Sequence, residues 1–402
     1  MFNKKSNSKQ KNKETNLSNH LETELVESKP AEKLVRIIGE VDKPFLILVL
    51  ILVGIGIIAV ASASYSYAEM TQGDSFFFTK KHVAFALVGV ACMIGSSFID
   101  YRMYKKLNRW IIVGAFGLCA LILTPLKHTS GGATRWINLG FTTFQPSEVL
   151  KFAVVVACAT YASNAKEKIK GFKCLGFYVL LLGACVGALA IQPHISCIII
   201  VCMLVACMMF MGGVNPLYIL AGGSVAVAGG FVGITMFPHA LSRLEVWFNP
   251  FDPLYFKNDG WQPAQSLFAI ASGGVWGVGL GQSNQKDGYI PEPQNDYIFS
   301  VICEEMGYVG AIALMLIFAA LIWRGMYIAK RAPTVFSGLL VAGIVCQIGI
   351  QTLLNIAVVS NTLPSTGISL PFLSYGGTSL LILLFQMGVI LSVSRHSIVE
   401  QG

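Results

Sequence analysis

A succession of long apolar segments constrains the fold of this chain more than any other feature. Because a helix needs about 17 or more apolar residues to cross a bilayer, we predict membrane spans in ten segments, namely residues 44–66, 82–99, 109–126, 147–163, 175–192, 194–213, 216–237, 297–323, 335–359 and 378–394. The 402-residue chain is 54% hydrophobic and only 12% charged, about half the charge of a soluble domain. The sequence therefore predicts an all-α polytopic membrane protein with ten transmembrane helices.

Basic residues are distributed unevenly between these segments. With the N-terminus inside, the inner connections carry clusters of lysine and arginine: Arg102, Lys105 and Lys106; Lys166, Lys168, Lys170 and Lys173; and Arg324, Lys330 and Arg331. The outer segments hold only scattered ones, Lys80, Lys81, Lys127, Arg135, Arg243, Lys257 and Lys286. Since lysine and arginine accumulate in cytoplasmic loops, we predict that both termini are cytoplasmic and that a large outer loop joins spans 7 and 8.

The N-terminal region differs in composition from the rest of the chain. Residues 1–43 are rich in Lys, Asn, Ser and Glu and show no apolar period, which predicts a disordered cytoplasmic tail. Residues 44–396 form the predicted membrane domain, with outer loops at about 127–146, 238–296 and 360–377. The ten cysteines include no CxxC and nearly all lie in apolar runs, so neither a disulfide framework nor a zinc site is expected.

Three carboxylates cluster at the boundary between the large outer loop and the eighth predicted span. Asp296 directly precedes the apolar helix, and Glu304 and Glu305 lie about two turns into it. Carboxylates near hydrocarbon are costly unless paired, so they mark functional sites or paired structural sites. Aspartate is also a favoured helix N-cap. From its position alone, Asp296 is therefore either a helix cap or a catalytic or binding residue.

A second group of charged residues surrounds the outer segment 127–146. Arg135 is expected near the level of the lipid headgroups, beside an interfacial aromatic segment. Glu148 and Lys151 follow in the next span and are three residues apart, which places them on one helix face, where they can form an ion pair inside the bundle. A structural ion pair and a direct chemical role both remain open for these two residues.

The two later outer loops carry turn-forming residues. Loop 238–296 contains Arg243 and a run of glycines between Gly273 and Gly281, part of which is expected to dip into the membrane. No Walker sequence is present, so we expect no nucleotide cofactor. Loop 360–377 contains Pro364, Gly367 and Pro371, which predict a structured hairpin.

These segments together resemble the SEDS family of bacterial membrane proteins, which includes FtsW, RodA and SpoVE. The matching motifs are GGATRWINLG followed by QPSEVLK, then GWQPAQSLFAIASGG, GLGQSNQK, PEPQNDYIFSVICEEMGYVG and LPSTGISLPFLSYGGTSLL. Their order covers nearly the whole chain after the tail, and within the family GLGQSNQK is more similar to FtsW and SpoVE than to RodA. Two departures stand out: Asn295-Asp296-Tyr297 where the family often has Thr-Asp-Phe, and Gln192-Pro193-His194 where it commonly has Gln-Pro-Asp.

The resemblance implies a multi-pass protein of the bacterial cytoplasmic membrane that polymerises lipid II into glycan strands as a peptidoglycan glycosyltransferase. It also implies a class B penicillin-binding protein as transpeptidase partner, other divisome membrane proteins as further partners, and, from the similarity to FtsW, a place at the division septum. The essential aspartate of the family falls on Asp296. His194 makes an acidic role at its own position doubtful, and a histidine at the membrane edge is the simpler interpretation there.

The implied reaction can be compared with the residues present. An α-linked donor that gives a β-linked product needs one inverting displacement and a general base, for which Asp296 is the candidate. Arg135, Arg243, Lys286 and Lys151 are candidates to hold the pyrophosphate, a task that a divalent cation, Mg²⁺ or Mn²⁺, can share. The further substrate-binding candidates are Glu148, Gln262, Gln265, Ser266, Glu304, Ser374 and Tyr375. No haem, flavin or nucleic acid is expected.

Two other functions are compatible with the same pattern. A lipid II flippase would use buried charges such as Glu148, Lys151 and Glu304 as a polar path, although the paired repeats with broken helices that are typical of alternating access are not visible. A non-catalytic divisome scaffold would tolerate the replacement of Asp296. The elaborate outer loops favour the enzyme, because its chemistry takes place at one membrane surface.

Overall fold

A computed structural model of the chain describes residues 39–130, 133–138, 140, 142–165, 169, 171–225, 238–256 and 260–396. The predicted disorder of the N-terminal tail concerns residues that, up to position 38, lie outside this range. The same applies to residues 226–237 of the seventh predicted span and to the glycine pair at 131–132. The described residues form one compact unit that begins at Gly39.

Helices dominate the structure, and one lies in each of the ten predicted spans. The helices are α1 (Lys43–Gln72), α2 (Phe77–Ser97), α3 (Arg102–Lys106), α4 (Asn108–Ala120), α5 (Pro146–Ala165), α6 (Lys173–Ala190), α7 (Ile195–Met211), α8 (Pro216–Val225), α9 (Pro238–Phe248), α10 (Trp261–Gly273), α11 (Ile298–Lys330), α12 (Val335–Val359) and α13 (Gly377–Arg395). Within the described residues, α1, α2, α6, α11, α12 and α13 are the six helices long and apolar enough to cross a membrane. The chain is a mostly helical, polytopic membrane protein.

A small sheet interrupts this helical architecture and corrects the all-α prediction. Strands β1 (Lys127–Ser130), β2 (Ala133–Asn138) and β3 (Thr143–Phe144) form an antiparallel sheet in that order. Lys127 pairs with Ile137, which in turn pairs with Phe144. Threonine, tryptophan, isoleucine and phenylalanine favour strands, and pairing satisfies backbone groups that an unpaired interfacial segment would leave open. The segment predicted to lie along the membrane surface is therefore folded on itself.

Two of the long helices form the buried centre of the bundle, together with α5. In α12 and α13, 78% of the most apolar window is buried inside the protein, whereas in α2 only 22% is. α13 packs along α2, and α12 packs between α5 and α11. The exposed apolar residues on the outer helices, such as Leu87, Ile58 and Leu316, form the surface expected to face lipid.

Polar contacts bring the basic ends of several helices to one face of the bundle. Arg324 near the end of α11 donates to both carboxylate oxygens of Asp42, from Nε at 3.0 Å and from Nη2 at 2.8 Å. Gly39 donates its N–H to the carbonyl of Arg395 at 2.8 Å. Ser392 donates to the carbonyl of Ile99 at 2.5 Å. The start of α1 and the ends of α2, α11 and α13 therefore lie together.

Helix α11 is broken at Gly307, and the glycine-rich segment after α10 fills the break. Gly307 has φ 66° and ψ −168°, a conformation that is essentially restricted to glycine. Tyr308 donates its N–H to the carbonyl of Gly274 at 2.9 Å, and Val309 donates to that of Val275 at 3.2 Å. The backbone groups that lose their helical partners are thus paired again.

The exchange at the break is reciprocal. Val278 donates its N–H to the carbonyl of Glu304 and Gly279 donates to that of Glu305, each at 3.0 Å. The backbones approach so closely that a Cβ on Gly277 would lie 2.2 Å from the Glu305 carbonyl oxygen. The glycines expected to dip into the membrane therefore pack against α11 through their backbone, where the absence of side chains is required.

The side chains of the same two glutamates hold the loop that follows the glycines. Glu305 accepts a hydrogen bond from Lys286 Nζ at 2.8 Å, and Ser62 of α1 donates to both of its carboxylate oxygens, at 2.6 and 2.7 Å. Glu304 accepts from the hydroxyl of Ser283 and from the backbone N–H of Asn284 at 3.1 Å. Lys286 and Glu304 were proposed above to bind substrate, and both side chains are occupied within the protein.

Substitution of Gly307 tests the importance of the broken helix. A Cβ there would lie 2.3 Å from the Gly277 nitrogen, in addition to the cost of a positive φ. We expect Gly307→Ala to lower the free energy of unfolding by about 2–5 kcal/mol, from strain and overpacking together. Gly54→Ala in α1 is the matched control, because nothing lies within 4 Å of its added Cβ. The melting temperature in detergent measures both, and equal melting temperatures would contradict the proposed constraint.

The buried ion pair between Lys286 and Glu305 leads to a second prediction. Both side chains are at most 5% exposed, so Lys286→Met leaves an uncompensated carboxylate in the interior and is expected to cost about 3–5 kcal/mol of stability. The double variant Lys286→Met/Glu305→Gln should regain most of this loss, because no charge then remains buried. Lys80→Met, which breaks the exposed pair with Asp74, should leave the melting temperature near that of the wild type. A double variant as unstable as the single one would argue against this account.

Candidate active site

The loop that carries Asp296 is held through its backbone carbonyls. Trp261 Nε1 donates to the carbonyl of Tyr289 at 2.6 Å, and Gln262 Nε2 donates to that of Pro291 at 3.2 Å. The backbone N–H of Tyr375 donates to the carbonyl of Gln294 at 2.8 Å. Donors from two other segments of the chain therefore fix the path of this loop between its anchor at Lys286 and the start of α11.

Asn355 connects Asp296 to the hairpin that follows α12. Its Nδ2 donates to the carbonyl of Asp296 at 2.7 Å and to the carbonyl of Ile368 at 2.6 Å. Asn355 is buried, so both bonds are shielded from competing water. The side chain of Asp296 consequently lies against Gly367, where an added Cβ would be 3.3 Å from Oδ2.

The environment of Asp296 changes the acidity of its carboxyl group. The residue is partly buried, and desolvation raises its pKa to about 6, with a smaller contribution from the charge of Glu292. A backbone hydrogen bond and the charges of Arg135 and Arg243 act in the opposite direction. A carboxyl group with a pKa near 6 is ionised at neutral pH and is still basic enough to accept a proton.

The structure resolves the alternative left open for Asp296. Helix α11 takes Tyr297 as its N-cap and has no side-chain capping hydrogen bond. The hydroxyl of Tyr297 instead lies 3.2 Å from the hydroxyl oxygen of Ser365 in the hairpin. Asp296 is therefore not the helix cap, and its carboxylate is available for another role.

Two guanidinium groups lie on either side of the hairpin segment that touches Asp296. Arg135 of β2 donates from Nη2 to the carbonyl of Pro193 at 3.0 Å. Arg243 of α9 donates from Nη1 to the carbonyl of Ser365 at 3.5 Å. Burial, followed by the neighbouring charge of Arg243, lowers the pKa of Arg135. The structure thus brings together Asp296, Arg135 and Arg243, which are far apart in sequence.

The predicted ion pair in α5 is present. Lys151 Nζ lies 2.9 Å from Glu148 Oε1, and both side chains are buried. A small cavity of about 20 Å³ adjoins Glu148 and is also lined by Gln351, Ser369 and Ser374, which is enough room for one water molecule. This pair occupies the polar centre of the outer half of the bundle.

The remaining substrate-binding candidates make contacts within the protein. Ser266 donates to the carbonyl of Val359 at 2.9 Å, and Gln265 beside it is buried. Ser374 Oγ accepts the N–H of Leu370 at 2.7 Å. Tyr375 packs its ring edge to face against Phe78, with centroids 5.0 Å apart. These contacts support the hairpin and the acidic loop.

Sequence reasoning did not identify Asn355 as part of this site, although a signal was present. Gln347, Gln351 and Asn355 recur at intervals of four residues in an otherwise apolar helix, and all three are buried. Such spacing places three amide side chains on one face of α12. A polar stripe of this kind inside an apolar span indicates an interior face with hydrogen-bonding work.

The residues around Asp296 do not fit a resident metal centre. In the part of the chain that the structure describes, no three His, Cys, Asp or Glu side chains converge to hold a metal ion. The charged groups nearest to Asp296 include two guanidinium groups, which repel cations. The site is instead suited to bind an anion beside a base.

Comparison with known proteins agrees with this architecture. Residues 43–398 match the family of cell cycle proteins that comprises FtsW, RodA and SpoVE. The chain is 38% identical to stage V sporulation protein E of Bacillus subtilis over 81% of this chain and 88% of the relative. It is 36% identical to a probable peptidoglycan glycosyltransferase FtsW of Geobacter sp. strain M18, over 80% of this chain and 88% of the relative.

Solved structures show the same fold. A chain from a study of how a peptidoglycan synthase complex coordinates polymerization and crosslinking is 25% identical, with a TM-score of 0.74 over 88% of this chain and 98% of that one. The rod shape determining protein RodA of Thermus thermophilus is 23% identical, with a TM-score of 0.65 over 90% of this chain and 98% of that one. The motifs, the family match and the fold together show that this chain belongs to the SEDS family of FtsW, RodA and SpoVE.

Proposed function

We propose that this protein is a peptidoglycan glycosyltransferase that polymerises lipid II at the outer face of the bacterial cytoplasmic membrane, with Asp296 as general base. A relative that covers most of the chain is named a probable peptidoglycan glycosyltransferase. The observation that carries the proposal is the position of Asp296: a carboxyl group with a pKa of about 6 lies at the end of a membrane helix, within the field of two arginines.

The chemistry of the reaction requires few groups. The 4-hydroxyl of the acceptor sugar attacks the anomeric carbon of the donor, and the bond from that carbon to the diphosphate oxygen breaks. Asp296 takes the proton of the attacking hydroxyl. The diphosphate leaves as an anion, so no second carboxylic acid is needed, in contrast to glycoside hydrolases. Arg135 and Arg243 are suited to stabilise its negative charge.

The arrangement of the polar contacts supports a ten-span topology with both termini in the cytoplasm. Asp42, Arg324 and Arg395 meet on one face of the bundle, and basic residues favour the cytoplasmic side. α11 runs from this face to Asp296, and its 33 residues are long enough to cross a bilayer. Asp296, the sheet and the hairpin then lie outside, where lipid-linked sugars are polymerised.

A transpeptidase partner and a septal role complete the proposal. The structurally similar chain described above comes from a complex in which polymerization and crosslinking are coordinated, which supports a class B penicillin-binding protein as partner. The similarity to proteins named FtsW supports a place at the division septum beside other divisome membrane proteins. A divalent cation, if the reaction uses one, would take its ligands largely from the diphosphate of the substrate.

Replacement of Asp296 tests the base. Purified wild-type protein, with and without its penicillin-binding partner, should convert labelled lipid II into glycan polymer that is resolved by size on a gel. Asp296→Asn should lower the rate about 10²- to 10⁴-fold, because the amide cannot accept the proton. Asp287→Asn is the matched control: it removes an exposed carboxylate of the same loop, which accepts from Ser66 at 2.5 Å, and should keep most activity.

The outcomes of this experiment separate the alternatives. Equal polymer from wild type and Asp296→Asn would remove Asp296 from the mechanism. An absence of polymer under every partner condition would favour a flippase, which a liposome assay for lipid II transbilayer movement then detects. Normal division in cells with Asp296→Asn would favour a non-catalytic scaffold.

The pH dependence provides an independent test of the base. Because Asp296 must be ionised to act and has a pKa of about 6, kcat/KM should fall about tenfold between pH 7 and pH 5. The charge of Arg135 holds this pKa down, so Arg135→Gln should shift the midpoint of the profile to higher pH. Asp287→Asn should leave the midpoint unchanged. A flat profile between pH 5 and 7 would contradict the assignment.

A further inference from the structure

The turn between α6 and α7 brings His194 to the candidate active site. The carbonyl of Pro193, directly before it, accepts from Arg135 Nη2 at 3.0 Å. Ser196, two residues after it, donates to the carbonyl of Thr366. The next residue, Gly367, is the one that lies against the carboxylate of Asp296. His194 is therefore framed by contacts to an arginine of the site and to the hairpin that touches the proposed base.

The imidazole of His194 is buried and incompletely hydrogen-bonded. His194 is only 6% exposed, yet its Nδ1 has no hydrogen-bond partner within the described residues. Arg135 Nε is in the same condition. A buried polar group without a partner costs stability, and native proteins keep such groups mainly where a ligand or water completes the hydrogen bonds.

The charges around His194 identify the class of ligand. Arg135 and Lys151 are the charged groups whose fields act on it, and burial together with these two cations lowers the pKa of His194 to about 3. The imidazole is therefore neutral at physiological pH. His194 is also the N-cap of α7, without a side-chain cap, and the N-terminus of a helix carries a partial positive charge.

These features together describe a site for an anion. An arginine with an unused N–H, a neutral imidazole and the positive end of a 17-residue helix lie on one side of the hairpin, and Arg243 binds its other side at Ser365. The N-terminus of a helix is favourable for phosphate groups. A ligand that carries two phosphates would satisfy both Arg135 Nε and His194 Nδ1, which no group of the described residues does.

We propose that His194 is a substrate-contacting residue whose imidazole donates a hydrogen bond from Nδ1 to the diphosphate group of the lipid-linked substrate, beside Arg135 and the N-terminus of α7. This inference rests on the proposed function and specifies its anion subsite. The neutrality of the imidazole is part of the role. A carboxylate at this position would pair with Arg135 and repel the diphosphate.

The experiment measures binding of undecaprenyl diphosphate to full-length protein in detergent, without any requirement for catalysis. His194→Asp should weaken binding at least tenfold, whereas His194→Gln, whose amide N–H can still donate, should stay within about threefold of wild type. Undecaprenyl monophosphate and inorganic pyrophosphate separate the contributions of the second phosphate and of the lipid. His396→Gln is the matched control, because that histidine contacts the carbonyl of Ser392 at 2.8 Å on the opposite face.

Kinetics with lipid II provide the second readout. His194→Asp should raise KM about tenfold with a smaller change in kcat, and melting temperatures of the variants confirm that they are folded. Wild-type binding by both His194 variants, or no binding of undecaprenyl diphosphate by the wild type, would overturn the inference. Binding that depends on His194 in a protein that makes no polymer would refute the proposed function and leave the anion subsite standing. Polymerisation with an unchanged KM in His194→Asp would do the opposite.

Discussion

The structure depends on the hydrogen bonds that repair the break in α11. In a membrane, unpaired backbone N–H and C=O groups have no water to bind, so a broken helix survives only if other groups replace its internal bonds. The residues Gly274–Gly279 supply donors and acceptors for both sides of the break. Only glycine permits the backbone contact at Gly277 and the conformation of Gly307. The glycine-rich segment and the helix are thus one structural unit.

This unit positions the proposed base. Because Glu304 and Glu305 precede the break, their side chains bind the loop that leaves the glycine segment, through Ser283, Asn284 and Lys286. The loop then has ten residues to return to the start of the same helix at Asp296. A short loop with both ends tied to one helix loses little further conformational entropy when a substrate binds. The buried glutamates therefore act on the fold around the reaction.

The site itself is built from groups of opposite charge in controlled proportion. Asp296 is desolvated enough to be a base near neutral pH, while Arg135 and Arg243 keep it ionised. The same arginines are suited to the diphosphate that leaves, so one set of cations serves both the base and the leaving group. A neutral His194 preserves this balance, because a further carboxylate beside Arg135 would consume the charge that the leaving group needs.

Local patterns in the sequence were sufficient for much of this description. The apolar segments identified the helices, since a helix inside a bilayer must satisfy its own backbone, and the spacing of Glu148 and Lys151 identified their ion pair. The motifs identified the family and the importance of Asp296. The sheet at residues 127–144, the roles of Lys286 and Glu304 as internal anchors, and the meeting of Arg135, Arg243, Asn355 and His194 with the acidic loop appeared only in the tertiary structure. These contacts join residues from 13 to more than 200 positions apart, and no local pattern records which distant partner a side chain meets, because that choice depends on how the helices pack.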